Sequence, residues 1–123
     1  MMIRAFVTSF AILLFVLAPA FAADVSGKWT SDFDSPIGRQ SYIYEFKVNG
    51  STLTGTATQS QRGTTEIKEG KVNGDEISFV ELVSVEGNEL RIEHTGKVSG
   101  DEIRLKRKVG DIAEYEIIAK RAK

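Results

Sequence analysis

The fold is decided by the stretch Glu69–Phe79, which reads EGKVNGDEISF. Apolar and polar residues alternate on both sides of Asn73-Gly74, a pair that tolerates the positive φ angles of a tight hairpin turn. The pattern recurs at Thr95–Leu105 as TGKVSGDEIRL, and a weaker copy follows Phe46. A period of two indicates strands rather than amphipathic helices. The recurrence is also explained by simple reuse of good turn chemistry, which needs no ligand.

The same alternation extends outward over the rest of the chain from Ala23 onward. It predicts eight strands joined in sequence by short turns. Their expected ranges are Gly27–Asp34, Arg39–Val48, Ser51–Ser60, Thr64–Val72, Asp75–Val85, Glu89–Val98, Asp101–Lys108 and Ile112–Arg121. Eight antiparallel strands connected this way can close on themselves, which protects the sheet edges. We therefore predict an all-β fold for residues 23–123: a single domain forming an eight-stranded antiparallel up-and-down meander barrel.

Length and charge limit the function classes. A chain of 123 residues suits one domain, and 16 Lys and Arg against 17 Asp and Glu give no basic excess for binding nucleic acid or an anionic membrane. With one His and no Cys, thiol chemistry and thiolate metal sites are excluded. No acidic cluster has the spacing of a calcium loop, and no glycine-rich phosphate loop is present. We expect no metal and no cofactor.

Residues 1–22 have the layout of a secretory signal peptide. A basic Arg4 precedes an apolar run, and small residues Ala20 and Ala22 form a cleavage site before Ala23. The apolar run is short for a membrane span, and the alternative interpretation is an uncleaved N-terminal anchor. We expect cleavage, a secreted or periplasmic protein, and no membrane attachment afterwards.

Two short motifs carry a family resemblance. Gly27-Lys28-Trp29 on the first strand and Leu53-Thr54-Gly55-Thr56 on the third resemble the avidin and lipocalin superfamily of small barrels, the calycins. The resemblance implies that Trp29 closes one barrel end and that Arg121, on the last strand, packs across its face. Biotin-binding members resemble one another in several tryptophans and in an aromatic after the third-strand motif. This chain has one Trp, and Ala57 at that position, so biotin binding is not implied and the subfamily is open.

Hairpin register indicates which side chains face inward. A two-residue turn at Gly87–Asn88 pairs Glu81 with His94, and one at Ser99–Gly100 places Arg107 diagonal to His94. All three then lie on the apolar, interior face. The same reasoning on the second and third strands turns further polar side chains inward, namely Tyr42, Tyr44 and Gln59.

These six interior residues, Tyr42, Tyr44, Gln59, Glu81, His94 and Arg107, admit three interpretations. Charges removed from water are costly unless paired, so their presence needs a reason. The first is a structural Glu–His–Arg network with internal water in a filled barrel. The second is a ligand site in which Arg107 takes a carboxylate or phosphate and the tyrosines stack. The third is an isomerase or hydrolase with Glu81 and His94 as acid and base.

We favour the second interpretation, a small-molecule-binding barrel. The expected ligand is a small anionic or polar-aromatic molecule, and an enzyme is the less favoured alternative. The ligand would enter between four loops at one barrel end, namely Asp34–Gly38, Ser60–Gly63, Glu86–Glu89 and Val109–Asp111.

The outer face keeps open a further alternative, a structural or interaction module with a filled barrel that forms a homo-oligomer. Apolar residues are expected there, namely Ile43, Val80 and Leu82 with Ile118 or Ile67. A contiguous apolar patch of this kind suits a partner subunit.

Two registers need an irregularity to keep charges out of the core. Strict alternation would turn Lys68 inward and Ile67 outward, so we expect a bulge near Gly70 that reverses them. The turn at Gly110 must hold three residues for Tyr115 and Ile117 to face inward.

Overall fold

The structure is a computed structural model and describes residues 24–36 and 38–122. The predicted signal peptide, residues 1–22, lies outside the described residues and stays a prediction. The described residues form nine β-strands. Seven agree with predicted ranges to within one residue at each end, and the predicted strand Thr64–Val72 is divided into two. The nine strands are β1 (Gly27–Ser35), β2 (Gly38–Asn49), β3 (Thr52–Gln59), β4 (Gly63–Glu66), β5 (Lys68–Asn73), β6 (Glu76–Val85), β7 (Asn88–Ser99), β8 (Glu102–Val109) and β9 (Ala113–Arg121).

The strands form a closed antiparallel barrel in up-and-down order. Neighbours along the chain pair with each other, except β4 and β5, and β1 also pairs with β9, where Trp29 lies opposite Arg121. Strands β4 and β5 share one position between β3 and β6, so the barrel has eight strand positions. The predicted all-β class, strand number and meander order are confirmed. Closure sorts alternate residues of each strand into an interior and an exterior.

The division between β4 and β5 is a β-bulge, as predicted. The register of β5 against β6 shifts between Lys68 and Lys71, and Glu69 has a left-handed φ of 52°. The shift turns Ile67 into the core, where it is 6% exposed, and leaves Lys68 outside. The bulge therefore keeps a charged side chain out of the interior.

The turn between β8 and β9 holds three residues, as predicted, because strand pairing resumes at Ala113 opposite Val109. Ile117 is consequently buried and Tyr115 half-buried on the inner face. A turn one residue shorter would have buried the flanking glutamates instead.

Aromatic rings fill much of the interior. Phe33, Tyr42, Tyr44 and Phe46 form a stack from β1 along β2, with successive ring centroids 5.9, 5.5 and 5.6 Å apart. Phe79 on β6 meets the stack edge-on, 5.4 Å from Phe46. Such pairs contribute about 0.5–1.5 kcal/mol each beyond their buried area, so the stack adds to the stability of the barrel.

One barrel end is closed by Trp29, which is fully buried. Its indole Nε1–H donates to the carbonyl of Val25 at 2.9 Å, and the guanidinium carbon of Arg121 lies 4.3 Å from the ring centroid. Arg121 also donates to the carbonyls of Ser26 and Asp24. These contacts fasten the segment before β1 to the end of β9, and folding alone accounts for them.

Gly55, in the third-strand motif, is required by a close approach of backbone. It has a φ of 145°, and a Cβ there would lie 1.9 Å from the carbonyl oxygen of Glu45 on β2. We expect Gly55→Ala to destabilise the barrel by about 2–4 kcal/mol, because strand β2 must move aside. Urea unfolding followed by Trp29 fluorescence measures the loss.

Gly50→Ala is the matched control. Gly50 also has a positive φ, 67°, but a Cβ there would meet no atom of the described chain within 4 Å. We expect it to cost only about 1 kcal/mol, the penalty of the left-handed conformation. Equal losses in the two variants would contradict the close-approach explanation.

Candidate functional site

The turn between β6 and β7 is centred on Glu86 and Gly87, which have φ angles of 51° and 83°. The predicted centre, Gly87–Asn88, is wrong by one residue, and so Glu81 pairs with Ile92 rather than with His94. Two positive φ angles are typical of a type I′ turn, in which glycine commonly takes the second position. The register moves by two residues, so the inward face is unchanged.

The turn between β7 and β8 corrects a second prediction. Gly100 and Asp101 form its centre, with a positive φ only at the glycine, as in a type II′ turn. The predicted centre, Ser99–Gly100, is therefore wrong. Arg107 lies directly opposite His94 rather than diagonal to it.

Arg107 is the centre of the polar interior. Its side chain is 2% exposed, although it carries a full charge. Nη1 contacts Nε2 of His94 at 3.0 Å, Nη2 donates to the hydroxyl of Tyr42 at 3.0 Å, and Nε donates to the hydroxyl of Tyr115 at 3.2 Å. Its guanidinium carbon lies 4.8 Å from the ring centroid of Tyr42 and 5.4 Å from that of Phe33. The guanidinium is thus held in one orientation by hydrogen bonds to three strands besides its own.

His94 is a neutral acceptor for Arg107. Because arginine only donates, Nε2 of His94 must be unprotonated, and the ring proton is on Nδ1. The ring stacks on Phe79 with centroids 4.4 Å apart and an interplanar angle of 11°. Burial, and then the charge of Arg107, hold the pKa of His94 well below its ordinary value. His94 therefore orients the guanidinium without adding a charge.

Glu81 is fully buried and lies near Arg107 without bonding to it. Its Oε2 is 3.9 Å from Nη1 of Arg107, and neither carboxylate oxygen accepts a hydrogen bond from residues 24–36 or 38–122. Burial raises the pKa of Glu81 to about 7, against the lowering effect of Arg107 and then Arg62. The carboxyl group thus changes its charge near neutral pH.

The remaining predicted residues have separate places. Tyr44 is fully buried, and its hydroxyl has no hydrogen-bond partner within the described part of the chain. Burial, and then Glu81, raise the pKa of both Tyr44 and Tyr42, so both phenols are neutral. Gln59 is buried, and its Oε1 accepts from the backbone N–H of Gln61, which caps the turn after β3.

A cavity of about 180 Å³ lies at the barrel end opposite Trp29, which we call the mouth. Three of the four loops expected to form an entrance contribute residues to it, and the fourth, Glu86–Glu89, is represented only by its flanking residues Val85 and Leu90. Its lining consists of Ser35, Pro36, Gln40, Arg62, Val85, Leu90, Ile92, Arg107, Val109, Ile112, Ala113 and Tyr115. Of the six predicted ligand-binding residues, only Arg107 contributes to it. A larger open depression of about 570 Å³, on the outer face around Thr95 and Lys97, contains none of the six.

Four polar residues of the mouth were not among the predicted site residues: Ser35, Gln40, Arg62 and Tyr115. Tyr115 shares the inward parity of Ile117, which was a usable signal. Arg62 lies in a loop, where alternation gives no direction. Gln40 is at the start of β2, two residues before the first predicted inward tyrosine, so the same parity would have found it.

The expected outer patch is only partly apolar surface. Ile43 is 39% exposed, but Val80 is 6% exposed and Ile67 is turned inward by the bulge. Ile112 is the most exposed large apolar residue of the described chain, at 75%, and lies at the rim of the mouth.

Comparison with known proteins found no matching family model, curated protein or solved structure. Within residues 24–36 and 38–122 there is no group of three or more His, Asp or Glu side chains that could hold a metal ion. The same residues include no helix long and apolar enough to cross a membrane. The site must therefore be interpreted from its own geometry.

Proposed function

We propose that this protein is a calycin-type barrel that binds a small anion with an apolar body at the mouth. The observation that carries the proposal is Arg107, a buried and pre-oriented cation that lines a cavity whose other walls are mainly apolar. Concave, mostly apolar sites with a few fixed polar groups are typical of small-molecule binding.

Arg107 is suited to hold the anionic group. A guanidinium has five N–H donors, and the described residues accept from each of its three nitrogens once. Its partners His94 and Tyr42 are neutral, and the Glu81 carboxylate pairs with it at 3.9 Å without a hydrogen bond. One N–H on each of Nη1 and Nη2 is thus left for a carboxylate, sulfonate or phosphate oxygen.

The cavity walls define the rest of the ligand. Aliphatic side chains line the cavity near Arg107, namely those of Leu90, Ile92, Val109 and Ile112. Arg62 adds a second cation at the entrance, where it is exposed. A ligand with one anionic end and a short hydrocarbon or aromatic body fits this order of groups.

The two other interpretations have less support. As catalytic acid and base, Glu81 and His94 would need contact with a substrate, yet they are 0% and 1% exposed and are not part of the described lining of the mouth. A filled barrel accounts for the packing around His94 but leaves the cavity beside Arg107 unexplained. We further propose that the protein acts after export, in a secreted or periplasmic setting, because residues 1–22 resemble a cleaved signal peptide.

The proposal predicts selective binding of a short-chain anion. Hexanesulfonate, which stays ionised across the working pH range, should bind the protein at about pH 6 at least about tenfold more tightly than hexanol, since a charge-assisted hydrogen bond contributes about 1.5–3 kcal/mol. Isothermal titration calorimetry measures both. Arg62→Gln should weaken sulfonate binding about threefold through the loss of a rim charge.

Two variants test whether the mouth is the site. Ala113→Phe places a ring inside the cavity and should abolish binding while the barrel stays folded by circular dichroism. Arg39→Gln removes an exposed cation that pairs with Asp34 at the same barrel end but does not line the cavity, so binding should not change. No binding to the unmodified protein, or unchanged binding in Ala113→Phe, would refute the proposed function.

A further inference from the structure

Glu81 is the one buried carboxylate among the described residues, and the mouth cavity does not account for it. It approaches Nη1 of Arg107 within 3.9 Å, but it is absent from the described cavity lining, to which Arg107 belongs. A ligand anion entering the mouth would therefore share Arg107 with the Glu81 carboxylate. A buried carboxylate that makes no hydrogen bond to the described chain is normally disfavoured, so its retention needs a reason.

We propose that Glu81 is a specificity-determining residue: an anion binds to Arg107 together with one proton, which a Glu81 carboxylate oxygen takes up from solvent. The inference rests on the proposed function, since it concerns the same site. It adds a rule for the ligand's charge, which the cavity shape alone does not supply.

The charges around Glu81 lead to this rule. The titratable and charged groups that face Glu81 are Arg107 on β8, Arg62 from the loop after β3, and Tyr42 and Tyr44 on β2. Two further groups, His94 on β7 and Tyr115 on β9, are hydrogen-bonded to Arg107. Tyr42, Tyr44 and His94 are neutral near pH 7, and Arg62 is exposed to solvent. Arg107 and ionised Glu81 thus already balance each other inside the barrel.

Adding an anion to this balanced pair would leave one uncompensated negative charge in an apolar interior. Protonation of Glu81 removes that charge, so the anion and the proton each favour binding of the other. A neutral ligand adds no charge to the site and should bind equally well whether Glu81 is ionised or not. The site is therefore expected to select anions in mildly acidic solution and to lose that preference in alkaline solution.

The test is calorimetric titration with hexanesulfonate and hexanol between about pH 6 and pH 9. Hexanesulfonate affinity should fall about tenfold per pH unit above 7, as linkage to a single proton requires, while hexanol affinity stays constant. Titrations at pH 8 in buffers of different protonation enthalpy should show uptake of close to one proton per bound sulfonate.

Variants assign the proton to Glu81. Glu81→Gln should bind hexanesulfonate with the same affinity at every pH, close to that of the unmodified protein at about pH 6, and without proton uptake. Glu89→Gln is the matched control, because Glu89 is an exposed carboxylate near the mouth and outside its described lining, and the pH dependence should persist.

The outcomes separate this inference from the proposed function. Sulfonate binding without proton uptake by the unmodified protein would overturn the role of Glu81 and leave the site standing. Retention of the pH dependence in folded Glu81→Gln would also overturn it. No sulfonate binding at any pH would overturn the proposed function, and the inference with it.

Discussion

Replacing Arg107 by leucine is expected to destabilise the barrel by about 3–5 kcal/mol, a large share of the roughly 5–15 kcal/mol typical of a domain. The variant leaves the buried Glu81 carboxylate without its neighbouring cation. It also removes the donors to Nε2 of His94 and to the hydroxyls of Tyr42 and Tyr115. Urea unfolding at about pH 8, followed by the fluorescence of Trp29, measures the loss.

A double variant separates the lost pair from lost packing. Arg107→Leu combined with Glu81→Leu replaces both charges by apolar side chains, and it should recover about 2 kcal/mol or more of the loss. Arg104→Leu, on the exposed face of the same strand, should change stability by no more than about 0.5 kcal/mol. The explanation fails if the double variant is no more stable than the single Arg107→Leu.

Strand positions and faces could be predicted from the sequence because alternation is a local signal. In a closed barrel each strand has one apolar and one polar face, so residues such as Tyr42, Tyr44 and Leu53 are assigned inward by parity alone. Even the bulge that buries Ile67 was predictable, since the regular register would have buried Lys68. The energetic cost of a buried charge is large enough to decide such cases.

The contacts inside the barrel could not be predicted in the same way. A register error of two residues leaves each side chain on the same face of its strand but changes the residue that lies opposite it. Two turns were predicted with their centres one residue away from the observed ones. In both, the question was which residues take positive φ: Gly100 does so at the first central position, whereas Gly87 does so at the second, after Glu86. A single glycine permits either geometry, so the sequence left open whether Glu81 or Phe79 faces His94.

The mouth could not be predicted from local sequence, because it is formed by residues that are far apart along the chain. Its residues come from three loops and the ends of the strands, and they meet only because the barrel closes between β1 and β9. Arg62 has no periodic neighbours that would reveal its direction. The four loops could be grouped at one end by strand order alone, but the cavity between them required the packed structure.

Glu81→Gln is expected to change how stability depends on pH. The pKa of Glu81 is raised from 4.5 to about 7 in the folded protein, so the folded state binds this proton more tightly than the unfolded state. The resulting stabilisation is present below pH 4.5 and is lost as pH rises from 4.5 to 7, a change of about 3 kcal/mol. The free energy of unfolding of Glu81→Gln minus that of the unmodified protein should therefore grow by about this amount over that interval and then level off.

His94 also makes stability depend on pH, so the unfolding free energies of Glu81→Gln and His94→Gln should be compared across the same pH range. The pKa of His94 is lowered from 6.5, so its contribution is present above pH 6.5 and lost as pH falls, opposite in sign to that of Glu81. Between pH 4.5 and 6.5 the two contributions oppose each other in the unmodified protein. Glu81→Gln should then gain stability with rising pH in this range, and His94→Gln should lose it. Urea unfolding at half-unit pH steps resolves these slopes, and parallel curves for Glu81→Gln and the unmodified protein would show that Glu81 keeps an ordinary pKa.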